Sequence, residues 1–207
     1  MQFPEIKIFY SRLLDPFFIG HNKTYSRGGW DKWEAPSKEE VLAKTKELRN
    51  EWQKYEEKIL SALYEITELE FKRNLIEVNI VSGSPRDMSR PLIISAHNPT
   101  KDFINTLTHE LIHELFTDNI SEKIYPSIFK NLFPNEKKST QNHVIVHALL
   151  KYIYLDVLKE PERFKRNTAK SQNNPASGYS RAWEIVEEIG YFELIEKFKK
   201  NTHLLTK

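Results

Sequence analysis

The chain has 207 residues, with 31 Lys+Arg against 29 Asp+Glu and no cysteine. At 29% charged and 39% hydrophobic residues it has the composition of a folded chain of one domain or two small ones, not of a disordered segment. The absence of cysteine excludes disulfides, thiolate nucleophiles and Cys-type zinc sites, so any metal must sit on His, Asp or Glu. A net charge of +2 without a long basic run gives no reason to expect nucleic acid as a partner. No stretch approaches the ~20 apolar residues of a membrane span, and no basic n-region opens the sequence, so the expectation is a cytoplasmic protein without membrane contact.

In chain order, Glu5–Tyr10 (EIKIFY) alternates like a short strand. Asp15–Pro36, with Gly28-Gly29 and the segment GGWDKWEAP, reads as a loop. Ser37 followed by Glu40 is a capping box, and one long helix is expected over Ser37–Leu69. Its apolar positions Val41, Leu48, Trp52, Tyr55, Ile59, Ala62 and Ile66 keep a 3/4 spacing, with Thr45 filling the gap, as a helix backing a sheet would. Two strands follow, Ile76–Ser82 and Pro91–Ala96, joined by the turn-rich GSPRDMSR. Helical periodicity returns over Thr100–Thr117, Ser121–Leu132 and Ser139–Leu158. Lys159–Lys170 and Asn167–Gly178 read as solvated loop, before two last helices, Tyr179–Ile189 and Tyr191–Lys200. The order predicts an α+β fold: residues 1–118 hold a small sheet, its backing helix and a further helix, and 119–207 form a helical subdomain of the same single domain, 1–207.

The strongest chemical signal is His109-Glu110-Leu111-Ile112-His113. On a helix, Phe103, Ile104, Leu107, Leu111 and Leu115 form one apolar stripe, while His109 and His113 fall on nearly the opposite side, one turn apart. Two imidazoles at i and i+4 can share one Zn²⁺ at ~2.0–2.1 Å, and Glu110 beside them can take a proton from activated water. A pair of surface histidines without metal is the plainer alternative. A second pair, His143 and His147, has the same spacing on the Ser139–Leu158 segment. Glu184 and Glu136 are the carboxylates that could replace them as a further ligand. His97 reads as structural, His21 and His203 as surface residues, and Tyr179 and Arg181 as cap and surface residues that could otherwise polarise a substrate carbonyl.

The HExxH string, with uncharged Leu107 before it and hydrophobic Leu115 after it, resembles the active-site helix of the zincin metallopeptidases. Glu114 departs from that pattern, which usually has an uncharged residue there. The strand-helix-strand-strand order ahead of the motif is also similar to the N-terminal half of a zincin. The resemblance implies a zincin-like sheet whose edge strand, here Pro91–Ala96, pairs with an extended peptide. Metzincins continue as HExxHxxGxxH, but Phe116 and Asn119 occupy the Gly and third His positions, so the likeness is to gluzincins, whose third ligand lies on a later helix. It implies a Zn²⁺-dependent peptidase acting on a peptide or protein, with His109 and His113 as ligands and Glu110 as general base. His143 is preferred over His147 as third ligand, with His147 then within reach of zinc-bound water or substrate. A zincin-like, non-catalytic metal-binding or regulatory module is the alternative.

Overall fold

Exposed Glu5 and Lys7 alternate with buried Ile6 and Ile8 in strand β1 (Glu5–Tyr10) of the computed structural model, which describes residues 3–25, 33–84, 87–172 and 178–205. Strands β2 (Leu75–Val81) and β3 (Ile93–Ser95) complete a parallel sheet in the order β1-β2-β3. Its register sets Ile6 opposite Ile76, Ile8 opposite Val78 and Ile80 opposite Ile94, all buried. Three parallel strands among a majority of helices make a mixed fold, broadly compatible with the α+β class the sequence predicts.

The helices are α1 (Leu14–Tyr25), α2 (Lys38–Gln53), α3 (Glu56–Thr67), α4 (Thr100–Asn119), α5 (Tyr125–Leu132), α6 (Lys138–Tyr152), α7 (Pro161–Gln172), α8 (Tyr179–Ile189) and α9 (Tyr191–Leu205). A π-helical turn, Ile153–Val157, continues α6. The chain forms two compact units, Met1–Glu56 with Arg73–Leu111, and Glu57–Lys72 with Ile112–Lys207. Their boundary falls inside α4 at Leu111–Ile112, where the sequence suggests residue 118, and the second unit also takes 57–72.

In the first unit α2 lies on β1 and β2, the backing position expected of it. Its capping box is formed: Ser37 N–H donates to Glu40 at 2.7 Å, and Glu40 N–H donates to Ser37 Oγ at 3.2 Å. Val41, Thr45, Leu48 and Trp52 are buried along one stripe. The single helix expected over Ser37–Leu69 is instead two. Lys54 N–H donates to the Glu51 carbonyl at 3.2 Å and Tyr55 N–H to the Trp52 carbonyl at 2.8 Å, closing α2; α3 then starts at Glu56 and lies in the second unit from Glu57 on. No Gly or Pro marks this break.

Part of the expected Asp15–Pro36 loop is the helix α1; Gly28-Gly29 and the rest of 26–32 lie outside the described residues. Asp15, 1% exposed, anchors its first turn, its carboxylate accepting from Ser82 N–H at 2.7 Å, Gly83 N–H at 2.9 Å and Ser82 Oγ at 2.9 Å. Gly83 is needed there because a Cβ would collide with the backbone of Phe18 and Ile19. Within GSPRDMSR, residues 85 and 86 lie outside the described residues; its later part folds back onto β3.

That fold-back corrects the expected role of Pro91–Ala96. β3 is an edge strand, but Ile93 donates to and accepts from the Met88 backbone at 2.8 and 2.9 Å, and Ser95 N–H donates to Asp87 at 2.8 Å. The opposite edge is bonded as well, Ile8 C=O accepting from Arg49 at 2.7 Å and Ile6 N–H donating to Glu56. These outward backbone groups of both edges are therefore already used within the chain.

In the second unit α6 is central, touching α5, α8 and α9, with Val144–Leu150 buried all round. Helix α7 replaces the expected loop over Lys159–Lys170. Pro161 opens it, where a missing N–H is harmless, and buried Arg163 pairs with Glu160 at 2.6 Å. Residues 173–177 of the expected Asn167–Gly178 loop lie outside the described residues. No helix of the described residues is long and apolar enough to cross a membrane.

Candidate metal centre

Helix α4 is buried along most of its circumference, with Phe103, Ile104, Leu107, Leu111, Ile112, Leu115 and Phe116 all excluded from solvent. That packing fixes the helix in rotation and carries His109 and His113 on one side, one turn apart. Glu110, between them in sequence, is 8% exposed, and Glu114 only 1%. Helix α6 supplies His143. One ring nitrogen from each of His109, His113 and His143 lies within 4.8 Å of the other two. The His113 and His143 rings meet edge to face, with centroids 5.1 Å apart and planes at 81°.

The donor set suits a metal. A tetrahedral site with ~2.1 Å bonds needs its nitrogens roughly 3.4 Å apart, a spacing that lies inside the 4.8 Å within which these nitrogens converge. His143 Nδ1 stands 2.6 Å from the Ser139 carbonyl. A carbonyl oxygen only accepts, so Nδ1 carries the proton and Nε2 keeps its lone pair. Ligating histidines are commonly oriented by such a bond to the backbone. Burial, and then the neighbouring His143, push His113 down from 6.5 to about 3. Burial also lowers His143, with the Ser139 carbonyl opposing it. Both imidazoles are thus neutral, the form that binds metal.

His147 is not among the converging histidines. It is 1% exposed, with its ring stacked on Trp183 at 4.2 Å and 16°. Burial, followed by the nearby His143 and His113, drives its pKa well below 6.5. Its ring centroid lies 5.9 Å from that of His143. The carboxylate alternatives lie elsewhere: Arg181 holds Glu136 at 3.1 Å, Glu184 at 3.1 Å and Glu188 at 2.9 Å in a surface network on α8. Arg181 is committed to those carboxylates, in keeping with a surface residue. Tyr179 instead lies against His143, with centroids 4.2 Å apart.

Of the remaining histidines, His97 donates from Nε2 to the Ser82 carbonyl at 2.7 Å, a structural role. His21 is exposed and stacked beside Phe17, and the side chain of His203 lies outside the described residues. No protein family, curated protein or solved structure matches the chain. Sequence reasoning misses Ser139 and Trp183: Ser139 acts through its backbone carbonyl, which carries no residue signal, whereas Trp183 is signalled by the i, i+4 pair Tyr179/Trp183, which mirrors the spacing of His143/His147.

Proposed function

We propose that this chain is a zinc-dependent hydrolase of the gluzincin-like kind, acting on peptide bonds. The observation that carries the proposal is the convergence of His109, His113 and His143, with His143 Nδ1–H committed to the backbone. Those residues would hold Zn²⁺, which when bound acts as a Lewis acid toward water and a substrate carbonyl. Three protein ligands leave a fourth position open, as catalytic rather than structural sites do. Glu110, adjacent to His109 and partly screened from solvent, serves as general base, taking a proton from water and returning it to the departing amine. His113 and His143, kept neutral by burial, offer lone pairs without first losing protons.

A second reading, a zincin-like module that holds metal without catalysis, draws support from the β3 edge. Its outward groups at Ile93 and Ser95 are bonded to Met88 and Asp87, so an extended peptide finds no backbone partner at those positions. One experiment separates the two. The purified protein should carry about one Zn²⁺ per chain. Against a peptide library it should show hydrolysis that Glu110→Gln abolishes while zinc remains bound. Bound zinc with no turnover by the wild type selects the second reading; no zinc on the wild type rejects both.

A further inference from the structure

The side chains packed around the third ligand form a regular device. Tyr179 and Trp183 stand one turn apart on α8 and face His143 and His147, one turn apart on α6. The Tyr179 ring lies 4.2 Å from His143 at 44°, and 5.5 Å from His147 at 89°. Trp183 covers His147 in parallel at 4.2 Å. Gly178 makes this approach possible. Its φ of +78° turns the chain into α8, and a Cβ there would come 2.5 Å from Ser139 Oγ and 2.9 Å from Thr140 Oγ1. The first turn of α6 that Gly178 abuts is the same turn whose Ser139 carbonyl accepts from His143.

We infer that Tyr179 is a positioning residue for the third metal ligand. This inference rests on the metal-binding reading above. A histidine near a helix start has two side-chain torsions to settle, and the bond to Ser139 acts on one ring edge. Tyr179 restricts the tilt of the ring, packing against it at 4.2 Å. The His147–Trp183 stack, with which Tyr179 is in edge contact, keeps Tyr179 from swinging away. His143 Nε2 is thereby aimed at His109 and His113 before metal arrives, and the entropy of ordering the ring is lost on folding instead of on binding. The inference assigns this work to the ring of Tyr179.

Zinc affinity, measured by competition with a chromophoric chelator, tests the inference. Tyr179→Ala should bind zinc 10–100-fold more weakly, the range for residues that orient a ligand, while Tyr179→Phe restores wild-type affinity. Tyr179→Leu, which keeps bulk without a flat face, should also be weakened while its metal-free melting temperature stays near that of the wild type. If Tyr179→Ala does not fold, the Leu and Phe variants carry the comparison. Wild-type affinity in Tyr179→Leu, or a loss in Tyr179→Phe equal to that in Leu, overturns the inference and leaves the metal centre standing. A wild type that binds no zinc, or a His113→Ala variant that binds as well as wild type, overturns the metal reading and this inference together.

Discussion

His113 sits where desolvation, reinforced by the His143 ring, pushes its pKa from 6.5 down to about 3, so the folded chain refuses a proton that the unfolded chain accepts. A depressed folded pKa means stability that is complete above the unfolded value and is lost as pH falls toward the folded one. The metal-free protein should therefore lose urea resistance steadily from about pH 6.5 downward, and His113→Asn should flatten that slope. An unchanged slope in the variant would place the acid-labile group elsewhere. His143 and His147 differ in kind despite equal spacing. His143→Ala should weaken zinc binding by far more than the 10–100-fold of an orienting residue. His147→Ala should instead leave a cavity beside Trp183 and lower stability by roughly 3 kcal/mol, readable as a shifted denaturation midpoint. Helix spacing put both imidazoles on one face, and only the lateral position of α4 and α8 against α6 distinguishes them. That is why the HExxH pair is legible from sequence, while the choice between His143 and His147 is not.

Among the elements, α2 shows how far local chemistry reaches. Its start is written in Ser37 and Glu40, and removing the cap oxygen by Ser37→Ala should cost about 1 kcal/mol in thermal or chemical unfolding. Its end is not written. Lys54 and Tyr55 carry no breaker, and the apolar spacing continues into α3, so the periodicity predicts one helix where tertiary packing makes two. Helix α1 escaped for the opposite reason: Phe17 is exposed, which blurs its apolar face, and the carboxylate that fixes its first turn bonds to residues far along the chain. Helix α7 has no apolar stripe to read, since its buried positions are Arg163 and Ser171. The strands were legible by alternation and β-branched content, whereas their parallel pairing depends on crossovers that no local pattern encodes.

At the scale of the molecule, long-range bonds from single side chains carry much of the first unit's order. Asp15 joins α1 to the end of β2, and Asp15→Ala would leave the Ser82 N–H, Ser82 hydroxyl and Gly83 N–H without their acceptor. A loss of about 3 kcal/mol or more is expected in the unfolding free energy; a loss below 1 kcal/mol would show that water replaces the carboxylate without penalty. The ordering of the two units along the chain has a further consequence, for synthesis. The chain enters the second unit at Glu57, leaves it at Arg73 and returns at Ile112. During translation α3 therefore emerges before β2 and β3, yet the helices of its own unit, α5 to α9, come only after them. The first unit can complete itself once α4 has left the ribosome, while α3 must wait for the C-terminal half to be made. For the same reason no single cut in the gene yields either unit whole.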